Sequence, residues 1–217
     1  MVNQTGYKAP AKSKTEPKRT RGRPPGSNAQ AVILAGAWQA FAVYGFHDCS
    51  VANILEYSGS SRTNFYRFFK NKEEVFAILL EQSISRLESA LDQAFKDARH
   101  LTGIEQKLDF VNECYINNCF SAGDMLPVLF QEQHTLPEHK ALREKFFKKI
   151  QKNIERLIKE EGYTPPDPLL IQALMSGIDR VVLVLSMKKG STESKQAKAI
   201  DVVAQLYRPL IKSQSLT

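Results

Sequence analysis

Turn residues punctuate this chain at short intervals, and between them apolar residues recur every three or four positions. A chain written that way folds as a succession of helices. Val32, Ile33, Ala37, Trp38, Phe41, Val43 and Tyr44 form the first run, opened by a Ser27-Asn28-Ala29-Gln30 capping box and ended by Gly45. Ser50 caps a short segment, 51–57, closed by Ser58-Gly59, and Ser61 caps another, 62–69. Asn71-Lys72-Glu73-Glu74 opens a long helix through Val75, Ile78, Leu79, Ile84, Leu87, Leu91 and Phe95. Thr102-Gly103-Ile104-Glu105 caps a helix stopped by Gly123, and a short helix follows around Met125 to Gln133. Thr135-Leu136-Pro137-Glu138 then caps a charged helix with Leu142, Phe146, Ile150, Ile154 and Leu157 on one stripe, terminated by Gly162. Asp167-Pro168 opens a strongly apolar helix to about Met187, and Gly190-Ser191-Thr192 precedes a last one ending near Ile211. No alternating strand pattern exceeds a few residues. The expected fold is all-α, about nine helices, with a domain boundary inside the helix that starts at Lys72.

Composition limits what such a chain can do. Its 217 residues, 42% hydrophobic and 9% aromatic, supply a real core in one or two domains. The longest uninterrupted apolar stretch, near Val181 to Met187, falls far short of the roughly 18 residues of a membrane span. The N-terminal lysines precede no apolar signal segment, so the expectation is a cytoplasmic protein with no membrane partner. Cys49, Cys114 and Cys119 cannot all pair and lack CxxC spacing, which points to a reducing compartment. Cys114 and Cys119 fall on different sides of a continuous helix, which tells against a thiol redox sensor. His47, His100, His134 and His139 have no metal-ligand spacing, and neither a Gly-rich phosphate loop nor a Gly-x-Ser-x-Gly elbow occurs. No catalytic residue, metal or cofactor is expected, and an enzyme is disfavoured.

The charge is concentrated at one end. Of the net +7, residues 1–30 carry +6: Lys8, Lys12, Lys14, Lys18, Arg19, Arg21 and Arg23 against Glu16 alone. A cationic segment rich in Pro, Gly, Ser and Thr cannot bury apolar surface, so residues 1–27 are expected to be a disordered arm that displaces counterions from phosphate. Within it, Arg21-Gly22-Arg23-Pro24 resembles the AT-hook core, in which Gly permits close approach and Pro holds the chain extended. Arg21 and Arg23 would then reach the narrow floor of an A·T-rich minor groove.

Two short helices joined by Ser58-Gly59-Ser60-Ser61, after a longer scaffold helix, make a helix-turn-helix over 28–74. Phe65, Phe68 and Phe69 would anchor the second helix. Arg62, Thr63, Asn64, Tyr66 and Arg67 would face outward, where Arg reads guanine, Asn reads adenine and hydroxyls engage phosphate.

At this point the sequence resembles a family. Gly45-Phe46, Ser50-Val51-Ala52-Asn53-Ile54, Ser58-Gly59-Ser60-Ser61 and Phe65-Tyr66-Arg67-Phe68-Phe69-Lys70-Asn71-Lys72-Glu73 are similar to the N-terminal domain of the TetR family of bacterial repressors, over about residues 28–76. The resemblance implies that Ser50 and Ser61 donate to phosphate and that Tyr66 contacts the DNA backbone. It implies a phosphate contact for Lys72, and base reading from Arg62, Thr63, Asn64 and Arg67; Lys70 joins this DNA-binding set. Ser60 stands where a buried aliphatic is usual, Phe68 where His is frequent, and Thr63 where Gly is frequent.

For residues 75–217 the resemblance implies a regulatory and dimerisation domain. A homodimer would place two recognition helices one DNA turn apart on a pseudo-palindromic, double-stranded operator. Ala173, Gly177, Val181, Val184, Leu185, Val203, Leu206, Tyr207 and Leu210 supply apolar surface for that interface. A ligand cavity among the middle helices would draw on Leu108, Val111, Tyr115, Asn118, Cys119, Leu126, Phe130, His134, Met175 and Asp179, which favours a hydrophobic small-molecule effector. Asp179 stands beside Arg180, so an ion pair at the dimer interface is an alternative for it. The function implied is a dimeric repressor released by its effector. A TetR-like activator or a constitutive repressor without a ligand is the alternative.

Overall fold

The computed structural model describes residues 26–132 and 137–214. Its elements, in order, are α1 (Gly26–Asp48), α2 (Val51–Ser58), α3 (Arg62–Phe68), α4 (Lys72–Ala98) and α5 (Ile104–Phe120). A 3-10 turn (Gly123–Met125), α6 (Leu126–Glu132), α7 (Pro137–Glu160), α8 (Pro168–Ser186) and α9 (Thr192–Gln214) follow. Among the described residues no strand occurs, and the fold is all-α. The chain divides into two compact units, residues 1–76 and 77–217, so that α4 begins in the first and continues in the second.

In the first unit, local chemistry sets the helix ends. Ser50 caps α2 with a reciprocal box: the Asn53 amide donates to Ser50 Oγ (3.3 Å) and the Ser50 amide to Asn53 Oδ1 (2.9 Å). Ser61 Oγ accepts from the Asn64 amide (3.2 Å) at the start of α3. At α4, Asn71 Oδ1 accepts from the Glu74 amide (2.9 Å), and Glu74 reaches back to the Lys70 amide (2.7 Å), one residue further than a capping box requires. Ser27, expected as the first cap, lies inside α1, because the helical backbone already includes Gly26. Gly45 breaks that helix as expected, at φ 72°, ψ 174°, a backbone conformation open essentially to glycine.

That break turns Phe46 inward against Phe41 (ring centroids 5.8 Å) and Phe76 (4.8 Å). Ile33, Ala37, Ile54, Phe65, Phe69 and Val75 complete a core of large, fully buried side chains. α1 and α2 approach closely at Gly36. A Cβ placed on Gly36 would lie 2.5 Å from the backbone nitrogen of Ser58 and 2.6 Å from its Cα.

The second unit packs α4, α5, α7, α8 and α9 around Leu91, Phe95, Ile116, Phe120, Phe146, Ile150, Leu157, Val182 and Val203. Asp167 caps α8, accepting from the Leu169 amide (2.7 Å) with Pro168 at the first helical position. At α5 the cap is Gly103 (φ 82°), with no side-chain hydrogen bond, rather than Thr102: the positive φ turns the chain without needing an acceptor. Buried Lys107 donates to Glu161 and to the Arg99 carbonyl (3.4 Å), tying the start of α5 to the end of α7. Tyr207 donates to Asp109, and Arg208 donates to the same carboxylate (2.7 Å), fastening α9 to α5.

Those contacts correct part of the expected dimer surface. Val203 and Tyr207 are buried in the core of their own chain, because successive positions 203 and 207 of α9 face α5 and α8. Ala173, Val184 and Leu206 are exposed, and Gly177, Val181 and Leu185 are half-buried. The side chain of Leu210 lies outside the described ones. The exposure leaves α8 unusually apolar: its 19 residues have a mean hydropathy of 1.7 and only 22% of that stretch is buried. Residues 29–48 are likewise long and apolar enough by length and composition to cross a membrane, at a mean hydropathy of 1.3, a property they share with core helices of soluble proteins.

Candidate nucleic-acid interface and effector cavity

The geometry of α3 follows from two inward phenylalanines, one within it and one at its C-terminal cap. Phe65 and Phe69, the extended residue that ends the helix, are buried side by side (ring centroids 5.7 Å). That fixes the opposite face outward: Arg62, Thr63, Tyr66 and Arg67 are exposed, with Tyr66 53% accessible, and Asn64 is half-buried. Tyr66 stands edge-on to Phe65 (5.3 Å), so its ring is braced while its hydroxyl projects. Arg67 lies over the ring of Phe68 (5.5 Å), which is only half-buried and so serves as a platform rather than a core anchor. A rigid, exposed array of guanidinium, hydroxyl and amide groups on a short helix suits base edges and phosphates. Arg21 and Arg23 of the basic arm lie outside the described residues.

Two members of the expected DNA-contact set have other partners. Ser50 Oγ donates to Asn53 Oδ1 (2.5 Å) while accepting from the Asn53 amide, so its hydroxyl is committed to the cap of α2. Lys72 donates all three ammonium protons to main-chain carbonyls at the end of α1: Phe46 (2.7 Å), His47 (2.8 Å) and Cys49 (2.8 Å). The ammonium also stands 4.9 Å from the centre of the Phe46 ring. This cation closes the C-terminus of a broken helix, where carbonyls accumulate negative potential. Burial pushes the neighbouring Cys49 thiol up to about 11, with the Lys72 charge pulling it partly back. Lys72→Met is expected to destabilise the DNA-free protein by about 2 kcal/mol, since hydrogen bonds to a charged donor are lost. Thermal unfolding without DNA checks this; unchanged melting with weakened DNA binding would return Lys72 to the phosphate role.

In the second unit the expected cavity residues divide between two cavities. Leu108, Val111 and Met175 line one of about 760 Å³, solvent at its mouth included, with Ile104, Asn112, Ile158, Tyr163, Ile171, Tyr207 and Ile211 among its walls. Tyr115, Asn118, Cys119, Leu126, Phe130 and Asp179 line a second of about 600 Å³, together with Leu80, Ile84, Arg143, Phe146 and Phe147. His134 lies outside the described residues.

The second cavity holds the polar chemistry. Asp179 accepts from the Tyr115 hydroxyl and from Arg143 Nη2 (3.1 Å), so its partner is Arg143 rather than the adjacent, exposed Arg180. Neighbouring positions on α8 point in different directions, and only 179 faces α5 and α7. Burial raises the Asp179 pKa, opposed by the Tyr115 hydroxyl and the Arg143 charge. Burial and the Asp179 charge together hold the Tyr115 phenol and the Cys119 thiol well above their ordinary values, so both stay protonated and unreactive. Asn118 turns back on its own helix, donating to the Cys114 carbonyl (2.8 Å). Arg143 escaped the sequence reading; Phe147, four residues on and beneath its guanidinium (4.3 Å), was the signal that it lies along a helix face.

Residues 33–79 match the family model of bacterial regulatory proteins, tetR family. The HTH-type transcriptional regulator YdgC of Bacillus subtilis is 32% identical over 90 residues, 37% of this chain and 46% of that protein. EthR, an HTH-type transcriptional regulator of Mycolicibacterium smegmatis, is 33% identical over 84 residues, 39% of each chain. The match thus spans less than half the length of these relatives. In fold the likeness is wider: the fatty acid degradation regulator FadR from Bacillus halodurans superposes with a TM-score of 0.64 over 87% of this chain and 99% of its own, at 22% identity. Residues 33–79, which carry the braced recognition helix, thus match a domain of the tetR family of bacterial regulatory proteins, and the chain shares its all-α fold with solved structures such as a putative TetR-family transcriptional regulator from Mesorhizobium loti (TM-score 0.63, 14% identity, 85% of this chain and 98% of that one).

Proposed function

We propose that the protein is a homodimeric, sequence-specific repressor, acting in the cytoplasm without enzymatic activity, that leaves its operator when a small hydrophobic effector enters the second unit. The observation that carries it is the face of α3: Arg62, Thr63, Tyr66 and Arg67 are exposed on a helix immobilised by Phe65 and Phe69. In this reading residues 28–74 bind DNA and 75–217 sense the effector and dimerise. Arg62, Thr63, Asn64 and Arg67 read bases in the major groove, while Ser61, Tyr66 and Lys70 hold phosphates. Ser61 accepts at its cap and keeps its own proton to donate. Arg21 and Arg23 add minor-groove and phosphate affinity.

Release requires that the effector bind a DNA-incompetent arrangement better than the operator-bound one, since it shifts the equilibrium only by that difference. Selection from random duplexes tests the reading. The expected product is an inverted repeat with half-sites about one helical turn apart. Arg62→Ala is expected to cost about 1–3 kcal/mol and to relax preference at one base pair of each half-site. No enrichment over random competitor, or enrichment of a single asymmetric half-site, overturns it.

A further inference from the structure

The second cavity carries an unused donor next to a charge that is already balanced. Arg143 lines it, and its Nε–H is buried with no acceptor among the described residues. A buried N–H without a partner is costly, and a ligand that supplies an acceptor removes that cost. The guanidinium charge, however, is already met by Asp179, which accepts from Nη2. Tyr115, protonated, donates to the same carboxylate and adds no charge.

Leu80, Ile84, Leu126, Phe130 and Phe146 make most of the remaining wall apolar, and the polar Ser83 and Asn118 donate to carbonyls of their own helices, Leu79 (2.7 Å) and Cys114 (2.8 Å). An incoming carboxylate would therefore face Asp179 across the same guanidinium in a poorly solvated space, where like charges repel strongly. A neutral carbonyl would take the free Nε–H without that repulsion. The geometry points to an uncharged lipophile bearing one carbonyl-type acceptor, an ester, ketone or amide, as the ligand class of this cavity, with Arg143 as the donor and Asp179 as the residue that rejects acids. This rests on the proposal that the second unit senses a small molecule.

Calorimetric titration of the full-length protein at pH 7.5 with methyl octanoate, octanoate and octane tests it, repeated on Asp179→Asn and Arg143→Met. In the unmodified protein the ester is expected to bind at least tenfold more tightly than the acid anion. In Asp179→Asn the guanidinium is left unbalanced, so the order is expected to invert in favour of octanoate. In Arg143→Met the ester should lose at least tenfold and approach octane. If either variant unfolds, the ester-to-anion ratio in the unmodified protein and in Tyr115→Phe, where the carboxylate remains, decides alone. Octanoate binding as tightly as the ester, or an Asp179→Asn protein that keeps the original order, overturns the ligand class while leaving an effector site standing. Binding of none of the three probes to the unmodified protein removes the sensing role and this inference with it.

Discussion

Gly36→Ala is expected to lower the melting temperature of the protein and to abolish operator binding at concentrations where the unmodified chain is saturated. Helix propensity alone gives the opposite sign, since Ala in a helix interior is favoured over Gly by about 1 kcal/mol. Sterics decide. The added methyl would sit 2.5 Å from the backbone nitrogen and Cβ of Ser58 and 2.6 Å from its Cα. Real Cβ contacts do not come that close, so α1 and α2 must separate. Because two of the three atoms are main chain, no side-chain rotation relieves the clash. Overpacking of this kind costs about 1–3 kcal/mol. Its location makes the functional loss larger than the stability loss: Ser58 ends α2, and the turn that leaves it positions Ser61 and the whole of α3. A displaced turn re-aims Arg62 and Tyr66 relative to any duplex.

Two measurements check the sign and the cause. Differential scanning calorimetry should show Gly36→Ala melting below the unmodified protein; melting above it would mean that the helices absorb the methyl and propensity wins. Adding Ser58→Gly removes only the Cβ contact and leaves the two backbone contacts, so the double variant is expected to recover little. Full recovery would place the conflict in the side chain alone.

Gly36 also marks where sequence reading ended. Chemical signals that act within a few residues were legible. Ser50, Ser61 and Asp167 announce caps because a short side-chain oxygen reaches an amide two or three residues on. Gly45 announced a break, and the alternation of Phe65 and Tyr66 announced which way α3 turns. Features set by a partner far along the chain were not legible. A glycine inside an amphipathic run carries no record of the backbone that passes it, so the approach of Ser58 to Gly36 left no trace. Asp179 is legible as a polar group on an apolar face, with a cavity position and an ion pair beside Arg180 as its two readings, but its actual partner Arg143 is not, because nothing in the sequence states the register of α7 against α8. The same ignorance of register grouped Leu108 with Tyr115 in one cavity, though α5 carries them to two. Lys72 shows a third limit: a lysine at a helix start serves a phosphate or a carbonyl cluster equally well until the chain's path brings the end of α1 beneath it.

Register also decides what α8 and α9 can offer a second chain, and that leads to the other large effect. Leu206→Arg is expected to convert the protein to monomers at low micromolar concentration, with helical content and melting behaviour of the isolated chain retained. The burial pattern of α9 motivates this choice. Val203 and Tyr207 lie inside the subunit, whereas Leu206 is 40% exposed and meets α8 at Gly177, where an added Cβ would stand 3.9 Å from its Cδ1. On α8, Leu169 (70% exposed), Leu170 and Val184, with Met187 at its C-terminal cap, add to the uncovered apolar surface. Exposed apolar side chains of that size on one helix mark a contact with another molecule.

A two-fold interface presents each residue twice, so one substitution buries two guanidinium groups among aliphatic side chains. An unpaired buried charge costs several kcal/mol even after relaxation, about 3–5 kcal/mol where one partner of a pair is missing. A moderate dimer cannot sustain two. Operator affinity should fall with it, because a monomer reads one half-site and loses the second set of phosphate and base contacts. Sedimentation equilibrium gives the mass, and a half-site duplex run beside the full operator gives the consequence. The variant should bind both duplexes equally weakly, while the unmodified protein strongly prefers the full operator. A dimer that persists in Leu206→Arg would move the interface off the seam between α8 and α9, and the exposed α8 surface would then need a different partner.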